Sequence, residues 1–298
     1  MKENTKQAAI GFIGLGVMGE PMCRNLRLRS GKRVLAFDLN PEPLARLAAD
    51  GVEAATAPAA VMRESEVVFV SLPSGKELER VVAGEDGLLA HAHEGQTMID
   101  LGTSPVSLTR ELAMQFSGRG VAYLDAPVAR TRQAAQNGTL AIMVGGDEQV
   151  LGKVHSLLEC FASDITHCGA TGSGQVAKIL NNMVLFQTVV ALSEAHAIAV
   201  SAGFDPQRVF EALSKGSADS FALRNHGMKA ILPRQFPERA FPVSYAKKDL
   251  EYALELAADG GIEAEGARNV LRLFEQAIET GAGEAYFPAV SRILNRDV

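Results

Sequence analysis

The feature that most constrains the fold is a long apolar run from Val176 to Ala202. No Pro or Gly interrupts this run, and only Lys178 and Glu194 carry a formal charge within it. The run can therefore form one continuous helix, about 40 Å long at ~1.5 Å per residue. Because apolar residues cover all of its faces, we expect the helix to be buried on every side and to form the spine of a domain or to join two domains.

A membrane-spanning segment is the alternative interpretation of the same run. In that case Gln187, Glu194 and His196 would lie in the hydrocarbon, where polar and ionisable side chains are costly. The sequence therefore favours a buried helix of a globular protein.

Polar side chains cluster near the start of this predicted helix. Lys178 is followed by Asn181 and Asn182, and positions i, i+3 and i+4 share a helix face. One interpretation is a frayed first turn with Lys178 in water and an Asn as its cap. The other is a proton donor beside two hydrogen-bonding amides, and the spacing alone does not decide between them.

Composition excludes several classes of function. The 298 residues suffice for two domains, and 47% apolar with 21% charged residues indicates a globular chain. A formal net charge of -6 argues against nucleic acid as the main partner. The cysteines form no C-x-x-C pair, and a surface turn is favoured over a metal site at His91-x-His93, so we predict no metal. Residues 1–7 are polar and do not resemble a signal peptide, and we expect a cytoplasmic protein without membrane contact.

A glycine-rich motif near the N-terminus predicts a dinucleotide site. It follows a strand-like run, Ala8–Ile13, and opens a helix-like segment, which is the context that a G-x-G-x-x-G motif requires. The first glycine permits a tight turn, the second lets a pyrophosphate approach, and the third lets helix and strand pack. Unpaired N–H groups at the helix N-terminus can then bind phosphates. The candidate cofactor-binding residues are Gly14, Leu15, Gly16, Val17, Met18 and Gly19.

Asp38 ends the next strand-like run, Arg33–Phe37. An acidic residue at this position suits the ribose 2′-hydroxyl of NAD and repels the 2′-phosphate of NADP. We therefore predict NAD(H) in preference to NADP(H), and a cofactor site in preference to a glycine-rich turn without a special purpose.

Strand-like and helix-like segments alternate through the first half of the chain. This pattern predicts an α/β domain with a parallel sheet, in which ligands bind beyond the carboxyl ends of the strands. Three segments should border one such crevice: Ser71–Ser74, Asp100–Thr103 and Asp125–Val128. The alternation stops near Gly169–Gly174, so we predict a dinucleotide-binding domain over residues 1–170 and a helical domain over residues 171–298. A helical domain has too few other residues to cover a long apolar helix on all sides, so we expect a second copy to cover it in a homodimer or homotetramer.

Five ordered motifs resemble the β-hydroxyacid dehydrogenase family over almost the whole chain. They are Gly11–Gly19, Asp125–Val128, Gly138–Leu140, Gly174–Asn182 and Lys248–Leu250. The resemblance implies a Rossmann-type domain, a helical domain and an active site between them. It also implies roles for individual residues: catalysis by Lys178 and Asn182, substrate orientation by Asn182, and cofactor binding by Leu72, Pro73, Thr103 and Lys248.

The chain departs from the family pattern in two loops. Gly102 replaces the usual Ser of an Asp-x-Ser-Thr motif, and Ala129-Arg130-Thr131 replaces Ser-Gly-Gly, a loop whose backbone holds the substrate carboxylate. The second variant resembles the loop of a family member that reduces sulfolactaldehyde, a sulfonate. Arg130 would add a guanidinium fork and Thr131 a hydroxyl, so we expect both to bind the acidic end of the substrate. The alternative is that Arg130 faces solvent or pairs with a surface acid.

The family resemblance predicts an NAD(H)-dependent oxidoreductase that interconverts a short acidic aldehyde and its hydroxy acid. Lys178 can supply the proton that accompanies hydride transfer and can stabilise the developing alkoxide. A sulfolactaldehyde-type substrate is favoured narrowly over 3-hydroxyisobutyrate and over tartronate or succinic semialdehyde. Two rivals remain: imine reductases, which generally lack the lysine, and a dinucleotide-binding module without catalytic activity.

Overall fold

The computed structural model describes residues 8–238 and 240–294. Residues 1–7, which we predict not to be a signal peptide, lie outside the described residues. The chain forms two compact units that divide between Lys178 and Ile179. The boundary that we predict at residue 170 falls shortly before this division.

The first unit is an α/β unit, as predicted, in which nine strands of the described residues form one sheet. Six of them run parallel in the order β3-β2-β1-β4-β5-β6, which is the order of a dinucleotide-binding sheet. The strands are β1 Ala9–Ile13, β2 Val34–Phe37, β3 Glu53–Ala54, β4 Ser65–Val70, β5 Thr97–Asp100, β6 Ala122–Asp125, β7 Val128–Ala129, β8 Leu140–Gly145 and β9 Ala162–Gly169.

Helices cover both faces of this sheet, which is why its central strand is apolar throughout. All five residues of β1 are buried. Because side chains alternate between the faces of a strand, Ile10 and Phe12 belong to one core cluster, and Ala9 and Ile13 to another. The helices are α1 Gly19–Ser30, α2 Pro41–Ala48, α3 Pro58–Glu64, α4 Gly75–Val82, α5 Val106–Ser117, α6 Arg132–Asn137 and α7 Glu148–Leu158, with a 3-10 turn at Leu89–His91.

The far end of the sheet differs from the parallel arrangement that we predict. β8 pairs antiparallel with both β6 and β7. β7 and the six-residue helix α6 occupy the chain between β6 and β8, so the chain reverses direction after α6 and β8 runs back along β7.

The predicted long helix is present as α8, Ser173–Ser201, with 29 residues. It begins in the first unit and continues in the second. By length and composition alone α8 could cross a membrane, a test that the core helix of a water-soluble protein also passes. Our expectation of burial on every side is wrong for the single chain: Leu180, Val184 and Ile198 are 41%, 57% and 68% exposed.

The second unit is helical, as predicted, and its core is aromatic. The ring of Phe186, on α8, packs against Phe241, Phe274 and Phe287 at centroid distances of 5.9, 5.5 and 5.2 Å. The further helices are α9 Pro206–Leu213, α10 Val243–Asp259, α11 Glu265–Ala277 and α12 Ser291–Leu294, with π-helical segments at Leu223–Ile231 and Ile278–Ala282 and a 3-10 turn at Phe287–Val290.

Candidate active site

The glycine-rich turn has the backbone geometry that a dinucleotide phosphate needs. Gly14 follows β1 with φ of +91°, and a Cβ there would lie 2.2 Å from the carbonyl oxygen of Ser71. A Cβ on Gly19 would lie 2.0 Å from the carbonyl oxygen of Gly14, so only glycine allows α1 to pack this closely. Around Gly16 no atom lies within 4 Å of the Cβ position. This open backbone at the N-terminus of α1 fits a phosphate.

Asp38 lies directly beside this turn. The backbone N–H of Leu15 donates a 2.5 Å hydrogen bond to Asp38 Oδ2, and the N–H of Asn40 donates one of 2.7 Å to Oδ1. Leu15 is buried, while Gly16 and Val17 are exposed. The carboxylate is therefore fixed at the end of β2, at the position where the sequence predicts a ribose contact.

The loops after β4 and β5 lie at the same edge of the sheet. The N–H of Ser71 donates a 2.8 Å hydrogen bond to the carbonyl oxygen of Ile13, next to Gly14. Leu72 and Thr103 are half-buried, and Pro73 is exposed. The structure thus brings these three residues to the edge that carries the glycine-rich turn, and their contact with a cofactor stays a prediction.

A buried carboxylate anchors the start of α8. Asp125 Oδ1 accepts a 2.7 Å hydrogen bond from the N–H of Gly172, and Oδ2 accepts one of 2.9 Å from the N–H of Gln175. Burial raises the pKa of Asp125, and these backbone donors oppose the rise. Lys178 lies one turn beyond Gln175 and is half-buried. The motif containing Asp125 is visible in the sequence, but this anchoring role is not.

Asn182 lies one turn after Lys178 on α8, and its amide is held in place. Its Nδ2 donates a 2.7 Å hydrogen bond to Asp249 Oδ2, and its Oδ1 accepts one of 3.1 Å from Asn181 Nδ2. Asn182 is 2% exposed and Asp249 is 3% exposed. Sequence reasoning gives Asp249 no role, although it adjoins Lys248 in one of the family motifs.

Lys248 forms an ion pair with the same carboxylate. Its Nζ lies 3.1 Å from Asp249 Oδ1 and 5.8 and 5.3 Å from the ring centroids of Tyr245 and Tyr252. Both distances are within the range of cation–π attraction. The predicted contact of Lys248 with the cofactor stays a prediction.

The guanidinium of Arg130 contacts other groups of the protein, and its predicted contact with substrate stays a prediction. Nη1 donates hydrogen bonds of 2.8 Å to the carbonyl oxygen of Thr139 and 2.9 Å to Ser163 Oγ. Nη2 lies 2.8 Å from Asp164 Oδ2. The described contacts therefore match the alternative, a pair with a surface acid, because β9 places Asp164 within reach of the arginine.

The backbone at Arg130 has a conformation that favours glycine. Arg130 has φ of +86°, a conformation that non-glycine residues rarely adopt. The hydroxyl of Thr131, which we expected to bind substrate, caps α6 by accepting a 3.4 Å hydrogen bond from the N–H of Ala134. Both side chains thus serve the local structure in the described contacts.

Among the described residues, no group of three or more His, Cys, Asp or Glu could hold a metal.

Comparison with known proteins finds two family matches. Residues 9–169 match the NAD-binding domain of 6-phosphogluconate dehydrogenase. Residues 172–294 match the NAD-binding domain of NADP-dependent 3-hydroxyisobutyrate dehydrogenase.

Similar proteins match over nearly their whole length. The chain is 34% identical to 2-(hydroxymethyl)glutarate dehydrogenase of Eubacterium barkeri, covering 97% of this chain and 95% of that protein. It is 35% identical to 2-hydroxy-3-oxopropionate reductase of Escherichia coli, covering 96% of each. A structure of Mycobacterium tuberculosis 3-hydroxyisobutyrate dehydrogenase with L-serine superposes with a TM-score of 0.88 at 32% identity, covering 96% of this chain and 99% of that chain.

Proposed function

The chain belongs to the β-hydroxyacid dehydrogenase family, and we propose that it uses NAD(H) to interconvert a short acidic aldehyde and its hydroxy acid, with Lys178 as the acid and base. The family assignment makes it an NAD(P)-dependent oxidoreductase that acts on CH–OH groups. The observation that carries the proposal is the anchoring of α8: Asp125 binds the first turn of the helix whose next turn bears Lys178.

Lys178 is proposed to move the proton of the reaction. A bound nicotinamide supplies or accepts the hydride, which no protein side chain can do. In reduction the Lys178 ammonium donates a proton to the carbonyl oxygen of the substrate as charge develops there, and in oxidation the amine accepts it back. Asn182, one turn further on α8, hydrogen-bonds the same oxygen or its neighbour, and Asp249 keeps its amide from rotating.

NAD(H) is the proposed cofactor because of Asp38. A carboxylate fixed at the end of β2 can accept hydrogen bonds from ribose hydroxyls and repels a 2′-phosphate. The match of residues 172–294 to a family named for an NADP-dependent enzyme favours NADP(H) instead. A comparison of kcat/KM with NADH and with NADPH distinguishes the two cofactors.

The proposed substrate is a carboxylate, which reverses the narrow preference that the sequence indicates. The Arg130 guanidinium already has three partners in the protein, so its positive charge is satisfied without a sulfonate. The similar proteins are also named as enzymes that act on carboxylic acids. Tartronate semialdehyde, which is 2-hydroxy-3-oxopropionate, is the first candidate, and sulfolactaldehyde is the second.

We propose that a second copy of the chain covers the exposed stripe of α8. Val184, Ala191 and Ile198 recur at heptad spacing on the exposed side of this helix. A stripe of this kind can pack against itself in a twofold dimer. A homodimer or homotetramer and a cytoplasmic location complete the proposal.

The experiment is an assay of NADH consumption with tartronate semialdehyde, succinic semialdehyde and sulfolactaldehyde, together with the reverse reaction on their hydroxy acids. Turnover of tartronate semialdehyde at a higher kcat/KM than sulfolactaldehyde supports the proposal. A higher kcat/KM for sulfolactaldehyde would instead support a sulfonate as the substrate. Binding of NADH without turnover of any substrate indicates a dinucleotide-binding module.

A further inference from the structure

We propose that Gln175 is a positioning residue, which fixes the loop around Thr103 to the first turn of the helix that bears Lys178. This proposal rests on the function proposed above. All of the contacts involved lie within the first unit.

The side-chain amide of Gln175 makes hydrogen bonds only to this loop in the described contacts. Its Oε1 accepts a 3.1 Å hydrogen bond from the N–H of Ser104. Its Nε2 donates one of 2.9 Å to the carbonyl oxygen of Gly102 and one of 3.3 Å to Asp100 Oδ2. Thr103, the predicted cofactor contact, is therefore flanked on both sides by backbone groups that Gln175 holds.

The backbone of Gln175 is fixed at the same time. Its N–H donates to Asp125 Oδ2 at 2.9 Å, and the residue is 0% exposed. Since Lys178 is three residues further on, it lies on the adjacent turn of the same helix. One residue thus ties the predicted cofactor loop to the start of the helix with the predicted proton donor.

An uncharged amide is the group that these partners require. The Gly102 carbonyl and the Asp100 carboxylate only accept hydrogen bonds, whereas the Ser104 N–H only donates one. A glutamine offers two N–H donors and one acceptor oxygen, so it satisfies all three. An ionised glutamate would bring an acceptor against two acceptors, and a methionine would offer neither function.

The loop that Gln175 contacts contains Gly102, and glycine leaves the backbone more conformational freedom than other residues do. A Cβ at this position would lie 3.1 Å from the carbonyl oxygen of Leu72 and 3.1 Å from Asp100 Oδ1, so the loop has closed over the space of a side chain. The Asp100 carboxylate also holds this loop, because it accepts hydrogen bonds of 2.8 Å from the N–H of Gly102 and 3.0 Å from the hydroxyl of Ser104. The amide of Gln175 adds the connection between the loop and the first turn of α8.

The test compares Gln175→Glu and Gln175→Met with the parent by NADH affinity, measured by fluorescence between about pH 5.5 and 8.5. Burial and the adjacent Asp100 should raise the pKa of the introduced glutamic acid, whose protonated form can still donate one hydrogen bond. We expect NADH affinity of Gln175→Glu within about threefold of the parent at the lowest pH and at least about tenfold weaker at the highest. Gln175→Met should be about tenfold weaker throughout, with a lower kcat.

Gln115→Glu is the matched control, because Gln115 is exposed on α5 and the charge change is the same. It should bind NADH like the parent at every pH. If folded Gln175→Glu and Gln175→Met bind NADH and turn over as the parent does, with only a lower Tm, Gln175 merely supports the fold and the proposal is wrong.

Hydrogen exchange in the parent protein tests the contact without any variant. The Ser104 amide should exchange slowly, and exchange at the rate of exposed loop amides overturns the proposal even if both variants fail to fold. Failure of the proposed function has a different signature: the parent binds NADH but turns over no acidic aldehyde, while the affinity and exchange tests of Gln175 remain decisive.

Discussion

The Nδ2 of Asn182 donates a 2.7 Å hydrogen bond to Oδ2 of Asp249, and both residues are almost completely buried. The other oxygen of the same carboxylate lies 3.1 Å from Nζ of Lys248. One carboxylate therefore contacts both an amide and an ammonium for which the family resemblance predicts roles in the active site. Asp249 has no predicted contact with substrate, so we expect it to act through these neighbours.

Replacement of Asp249 tests this arrangement. Asp249→Ala removes the acceptor for Asn182 and the partner of Lys248, and we expect kcat/KM to fall by about 10²-fold. Asp249→Asn keeps an acceptor oxygen and should retain most of the activity that alanine loses. The control is Glu251→Gln, which alters an exposed pair with Lys247 on the same helix and should change little. Equal kinetics for Asp249→Ala and the parent would remove Asp249 from the site.

Asp38 should determine the choice of cofactor. Asp38→Asn keeps the shape of the side chain but removes the charge that repels a 2′-phosphate, so kcat/KM with NADPH relative to NADH should rise at least about tenfold. The measurement is the ratio of kcat/KM for the two cofactors with one substrate. Glu66→Gln, at the amino end of β4, removes the same charge away from the turn and should leave the ratio unchanged. A parent that uses NADPH as well as NADH contradicts the assignment.

Arg130 should affect local stability more than substrate choice. Arg130→Gly relieves the positive φ, whereas Arg130→Ala retains it, so the alanine variant should be less stable by about 1 kcal/mol in denaturant unfolding. Both should keep the parent's order of kcat/KM for tartronate semialdehyde and sulfolactaldehyde. A changed order in Arg130→Gly would show that the guanidinium binds substrate after all.

The Arg130–Asp164 pair also predicts a pH dependence of stability. Hydrogen bonds from Ser163 and Arg130 and the charge of Arg130 lower the pKa of Asp164. A lowered pKa in the folded state stabilises the protein above the unfolded pKa, and this contribution is lost as pH falls through the folded value. The stability difference between the parent and Arg130→Gly should therefore change in favour of Arg130→Gly as pH falls below about 4. Chemical unfolding at neutral and acidic pH measures it.

The exposed stripe of α8 should hold the oligomer together. Val184→Glu and Ile198→Glu place charges in the proposed interface, and we expect each variant to shift the protein toward monomers. Light scattering after size-exclusion chromatography measures the mass. Met114→Glu changes an equally exposed apolar side chain on α5 and is the control. Variants with the mass of the parent oligomer would mean that another surface forms the interface. A monomeric parent would mean that the protein does not form an oligomer.

Local patterns predict the parts of this molecule that depend on nearby residues. The turn at Gly14 follows from glycine spacing, and α8 follows from an uninterrupted apolar run, because both are set within a few residues. Asp249 could not be assigned from the sequence, because it lies 67 positions from Asn182. The direction of Arg130 depends on β9 bringing Asp164 beside it, which no local pattern specifies. The antiparallel pairing of β8 does not follow from its sequence, because the residues of a strand do not specify which neighbour it pairs with or in which direction.

The measurement that tests the central claim most directly is the turnover of Lys178→Ala with its preferred substrate, together with its affinity for NADH. If Lys178 is the acid and base, kcat should fall by about 10²–10⁴-fold while the Kd for NADH stays within about threefold of the parent. A kcat within a few-fold of the parent would contradict the account and remove Lys178 from the mechanism.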